Sequence, residues 1–133
     1  MSYAFAAALQ AAVFARLSGD AGLQAPVYDA TVGLGAEAVD YVTIGEEEVR
    51  GFGTKTSDGA VHDFNVTAHS GSDGFDGVKR VAEAVCAALV DAPLALAAGR
   101  LVALRFLRAS AERGRAPVKR RVVLRFRAVV DQG

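Results

Sequence analysis

Ser72-Asp-Gly-Phe-Asp-Gly-Val-Lys-Arg-Val-Ala-Glu-Ala-Val-Cys-Ala-Ala-Leu-Val-Asp-Ala-Pro93 reads as the clearest helix in the chain. Phe75, Val78, Ala82, Val85 and Leu89 recur at steps of three and four, while Asp76, Lys79, Arg80 and Glu83 fall on the opposite side. Ser72 or Asp73 is placed to cap its start, and Pro93 stops it from continuing. Strand-like segments lie on both sides of it, so it is expected to be the rod against which a sheet packs.

Val61 to His69 alternates, with Phe64, Val66 and Ala68 directed one way and Asp63, Asn65, Thr67 and His69 the other. Tyr41 to Val49 begins as a strand with Val42 and Ile44 inward and Thr43 outward. Beyond the helix, Arg100 to Ala109 places Val102, Leu104 and Phe106 on one face. Val118 to Val130 places Val122, Leu124, Phe126 and Ala128 inward, with Arg121, Arg125 and Arg127 outward. Ser110 to Pro117 reads as the turn of this last hairpin, and Gly-rich Arg50 to Ala60 as a long mobile hairpin loop. A short strand is expected near Val27 to Val32. A first helix runs from a Ser2 cap to about Leu17, with Phe5, Leu9, Ala12 and Val13 on one side and Tyr3, Ala7 and Phe14 on the other. A helix apolar nearly all round is covered on more than one side, by a sheet and a loop or by a sheet and a neighbouring subunit. The expected fold is α+β: an antiparallel or mixed sheet of four to five strands, two helices on one face, one domain over residues 1–133.

Formal charge is balanced, with 15 Lys and Arg against 15 Asp and Glu, which argues against a surface given over wholly to nucleic acid or membrane. The balance hides a split. Acids dominate from Asp20 to Asp76, and bases dominate from Arg100 to Arg127. The two sets either neutralise each other within one subunit or meet between subunits, an acidic edge against a basic one. The single cysteine, Cys86, cannot form an internal disulfide, which suits a reducing compartment. The alanine-rich start lacks a basic n-region, and no apolar run approaches the roughly 20 residues that span a bilayer, so a soluble protein without a membrane partner is expected.

Chemistry finds little support. His62 and His69, seven positions apart on one strand, project to opposite faces and cannot share a metal. Cys86 lies in the apolar stripe of a helix, where a buried small side chain is the plain reading. Gly53-Thr-Lys-Thr56 lacks the glycine directly before lysine that a phosphate loop needs. Glu46, Glu47 and Glu48 are neighbours in an extended strand with no cleft in view, so an acidic, partner-facing strand end outweighs a catalytic pair. No catalytic, cofactor-binding or metal residue is therefore assigned. The outward row of Arg121, Arg125 and Arg127, with Arg105 on the paired strand, suits a protein interface. The alternative is a small nucleic-acid-binding module using the basic strand face 100–127, which would bind phosphates in a salt-dependent way.

Six strings, in this order and spacing, carry a resemblance: Leu9-Gln-Ala-Ala-Val-Phe-Ala-Arg-Leu-Ser18, Val27-Tyr-Asp29, Tyr41-Val-Thr-Ile-Gly45, Thr54-Lys-Thr-Ser-Asp-Gly59, Gly74-Phe75 and Leu101-Val-Ala-Leu-Arg-Phe106. Together they resemble the tail-completion, or tail terminator, proteins of long-tailed phages, above all the versions in alphaproteobacterial gene transfer agents. Two positions depart from that pattern, Asp40 where relatives often carry Pro and His69 where they often carry Trp. The resemblance implies a hexameric ring in the particle, at the head-proximal end of the tail, assembled in the bacterial cytoplasm. Such a ring caps the tail tube protein, ends its polymerisation and joins a head–tail connector or stopper protein, while DNA passes through unread. No catalysis or cofactor is implied. The residues expected at subunit or partner contacts are Glu46, Glu47, Glu48, Lys55, Asp58, Arg105, Arg121, Arg125, Arg127 and Phe14.

Overall fold

The computed structural model describes residues 3–23, 25–28, 40–53, 58–114 and 118–132. Along the chain it forms α1 (Ala6–Ser18), β1 (Val27–Tyr28), β2 (Tyr41–Gly53), β3 (Asp58–Ser70), α2 (Asp76–Leu89), β4 (Arg100–Arg113) and β5 (Arg120–Asp131). The strands make one sheet in the order β1-β2-β3-β5-β4. Only the β1–β2 pair is parallel, and the other three pairs are antiparallel. The fold is α+β, with a five-stranded mixed sheet and two helices.

The apolar stripe of α2 becomes its buried face: Val78, Ala82, Val85, Ala88 and Leu89 are buried. They meet the alternating inward residues of β3 and β5, among them Phe64, Val66, Leu124, Phe126 and Val130. Leu9, Val13 and Leu17 of α1 join the same cluster, so both helices cover one side of the sheet. Each Leu or Val fully removed from water here stabilises the fold by roughly 1.5–3 kcal/mol. Arg16 of α1 donates from Nε to the Ala88 carbonyl at 2.9 Å, satisfying one of the orphan carbonyls at the C-terminal end of α2. Beyond that end Asp91, at φ 57°, reverses the chain, and its N–H bonds the Leu104 carbonyl of β4 at 3.0 Å. No helix among the described residues is long and apolar enough to cross a membrane.

Four local expectations are corrected. Neither helix has a side-chain cap: α2 starts after Phe75 and α1 after Phe5, and Ser2 lies outside the described residues. Asp73 is drawn instead to Lys119, whose Nζ is 3.0 Å away. The expected loop over Arg50 to Ala60 is mostly strand, because β2 runs to Gly53 and β3 begins at Asp58, directly opposite it. Gly59 marks a close approach within that hairpin: a Cβ there would lie 2.6 Å from the Phe52 ring and 2.7 Å from the Val130 carbonyl. Likewise the β4–β5 arms extend past Ser110 until Arg113 pairs with Arg120. Finally, β4 is bulged between Leu101 and Ala103 and again between Phe106 and Arg108, which breaks its alternation. Leu104 is buried as expected, but Val102 is 53% and Phe106 44% exposed. Phe106 keeps to the helix side, its ring 6.0 Å from Phe126 in an edge-on arrangement, at the margin where the cover of α2 ends.

The short strand expected near Val27 appears as Val27–Tyr28, and the rest of that call lies outside the described residues.

Candidate interaction surfaces

The side of the sheet away from the helices carries the outward residues of β3 and β5, and register decides their partners. Asp63 stands opposite Arg127, and Asn65 opposite Arg125. Arg127 grips Asp63 with two parallel bonds, Nε to Oδ1 at 2.8 Å and Nη2 to Oδ2 at 2.9 Å. That grip holds the Asp63 carboxyl below its ordinary value and raises the Arg127 guanidinium. Arg125 donates to Asn65 Oδ1 at 2.9 Å and reaches Glu48 at 3.3 Å. Arg121 bonds Glu112 on β4 at 2.5 Å, and Arg100 clamps Asp131 at 2.9 and 3.2 Å. Part of the acidic half of the sequence, Glu48, Asp63 and Asp73, thus meets the basic half inside one chain.

What remains lies at the two edges of the sheet. On β4, Arg105 sits opposite Arg127 and Arg108 opposite Arg125, like charge facing like. The acids of β3 and β2 already hold Arg127 and Arg125, and neither Arg105 nor Arg108 has an ion pair with another described residue. The bulges turn Val102 and Leu107 out beside them, 53% and 38% exposed.

The opposite edge is built, among the described residues, from β1, the stretch of β2 beyond its pairing with β1, and α1. A groove of about 660 Å³ runs there, lined by Tyr3, Ala7, Gln10, Phe14, Tyr28 and Glu47. Tyr3 is 64% exposed, and Phe14 and Tyr28 are also open to solvent. A bulge between Gly45 and Glu47 forces Glu46 into the left-handed region at φ 41°. The three glutamates consequently part ways. Glu46 is exposed and lines a second, smaller hollow that shares Tyr3, Gln10 and Glu47 with the groove. Glu47 turns beneath α1, accepts a bond from the Tyr3 hydroxyl and lies 3.5 Å from Nδ1 of buried His62. Glu48 turns to Arg125 on the outer face.

Of the other residues expected at contacts, Asp58 opens β3 opposite Gly53, and Lys55 lies outside the described residues. Phe14 lies on the outward side of α1, in the groove. Nothing in the sequence pointed to Arg108, Val102, Leu107 or the Tyr3–Glu47–His62 chain, because each depends on a bulge. His62 is buried among core residues and His69 lies on the other face, as their spacing requires. Cys86 is half-buried beside Phe106, and burial pushes its thiol pKa up, away from a reactive thiolate.

Polar side chains are thus engaged across strands, and apolar and charged side chains are left exposed at the two margins of the sheet. The chain belongs to the family described as Tail completion protein gp17, which matches residues 11–131 and consists of structural tail proteins of virions. A chain of the solved structure titled "Virion of native gene transfer agent (GTA) particle" is 46% identical and superposes with a TM-score of 0.87, covering 98% of this chain and 99% of that one. No curated protein matches the chain.

Proposed function

We propose that this protein is a tail terminator, acting as a single domain over residues 1–133. Copies of it, expected to number six, form a ring at the head-proximal end of the tail of a gene-transfer-agent-like particle. The ring caps the tube protein, ends its polymerisation and offers its other side to the connector or stopper, while DNA passes through without being read. The observation that carries this reading is the 46% identity over 98% of the chain with a component of such a particle. The apolar side chains exposed on and just before α1 support it, since Phe14 and Tyr3 need more cover than one subunit supplies.

A strain lacking the chain tests it. The expected micrographs show tails of irregular length, or tails unattached to filled heads. Particles of normal length and attachment would sink the reading. Nucleic-acid binding through the basic strand face 100–127 is the less favoured alternative, because Arg121, Arg125 and Arg127 bond side chains of their own chain. A low-salt duplex gel shift is expected to show no complex.

A further inference from the structure

The two margins of the sheet are chemically opposite, and they belong to strands at opposite ends of its order. The β4 margin offers Arg105 and Arg108, with Val102 and Leu107 turned out by bulges. The other offers an aromatic groove between α1 and β1, with exposed Glu46 in the hollow that adjoins it through Tyr3, Gln10 and Glu47. We propose that the β4 edge of one copy docks into the α1–β1 groove of the next copy. The proposal rests on the ring reading above and specifies its subunit contact.

Three features favour a second copy as the occupant. The charges are complementary: cations without a described partner on one margin, an exposed carboxylate at the other. Both margins also present large apolar side chains, so docking removes from water a set that each chain alone leaves wet. The β4 margin is not complementary to itself, because two such edges meeting about a two-fold axis would bring arginines against arginines. A contact between unlike patches propagates head to tail, and it closes into a ring when the rotation per copy permits. The bulges interrupt β4 as a straight pairing edge, so side chains rather than an extended backbone ladder make the join.

Particles carrying Gln10→Cys and Leu107→Cys together, in a Cys86→Ala background, test this with a short bis-maleimide. The expected result is a ladder of cross-linked multimers of this chain, absent from either single-cysteine control. Dimers formed by Leu107→Cys alone would mean that like edges meet, and would overturn the proposal. Particles that contain the chain and give no cross-link would overturn it too, while leaving the terminator reading intact. Particles made without the chain at all would overturn both. As a second measurement, R105E/R108E should keep the circular dichroism of the parent while its incorporation falls on the order of tenfold. Unchanged incorporation would also overturn the proposal.

Discussion

His69 stacks on Tyr41 with ring centroids 4.4 Å apart, and its Nε2 lies 2.9 Å from Thr43 Oγ1. Burial, helped by the positive charge of Arg121, lowers its pKa from 6.5 to about 4. The folded state therefore prefers neutral imidazole. The stability this contributes is complete above pH 6.5 and is lost as pH falls from 6.5 towards 4. His69→Gln should flatten the fall in unfolding free energy across that window by roughly 1–2 kcal/mol, the partial exposure of the ring screening the rest. Urea titrations of both proteins at several pH values between 7 and 4 would show it, and parallel curves would count against it. At this scale the sequence told which way each β3 and β5 side chain points, because alternation alone fixes that. It could not tell which arginine meets which acid, since register between strands distant in sequence is set by the packed core. For that reason Arg125→Glu cannot serve as a clean test of assembly: it would also break bonds to Asn65 and Glu48.

Gly99 joins the segment after α2 to β4 at φ +81°, and a Cβ there would lie 2.9 Å from the Phe5 ring and 3.0 Å from the Asp131 carbonyl. Gly99→Ala should cost about 1–3 kcal/mol, through backbone strain and through displacement of Phe5 at the start of α1. A thermal melt reads it directly, and an unchanged midpoint would show that Phe5 yields freely. Elements with a strong period, α2 above all, were legible because one face had to be buried. Element ends were not. Glycines between Arg50 and Ala60 suggested a loop, whereas Gly59 is there to let Phe52 and the Val130 carbonyl come close. Bulges in β2 and β4 leave no mark in composition, so the exposure of Val102 and Leu107 was beyond reach.

For the whole molecule, segregated charge was visible in the sequence, and so was the choice between pairing within a chain and pairing across chains. Pairing within the chain accounts for part of it, through Asp63, Glu48 and Asp73. The proposed contact surface is the remainder, and it shows only once the sheet order puts β1 and β4 at opposite margins. Phe14→Glu sets a charge in the groove without touching the core, so the monomer's stability should change by about 0.5 kcal/mol or less. Its recovery in purified particles should drop severalfold against an equal intracellular level, as measured by immunoblot. Recovery equal to the parent would argue that this flank stays wet.

Glu46 occupies a backbone conformation that glycine or asparagine would accept more easily. Glu46→Gly should therefore raise the unfolding free energy of the isolated chain by on the order of 1 kcal/mol, while removing the carboxylate proposed to greet the neighbour's arginines. A sturdier monomer that assembles less well is the trade-off expected where selection acts on the finished particle rather than on its parts.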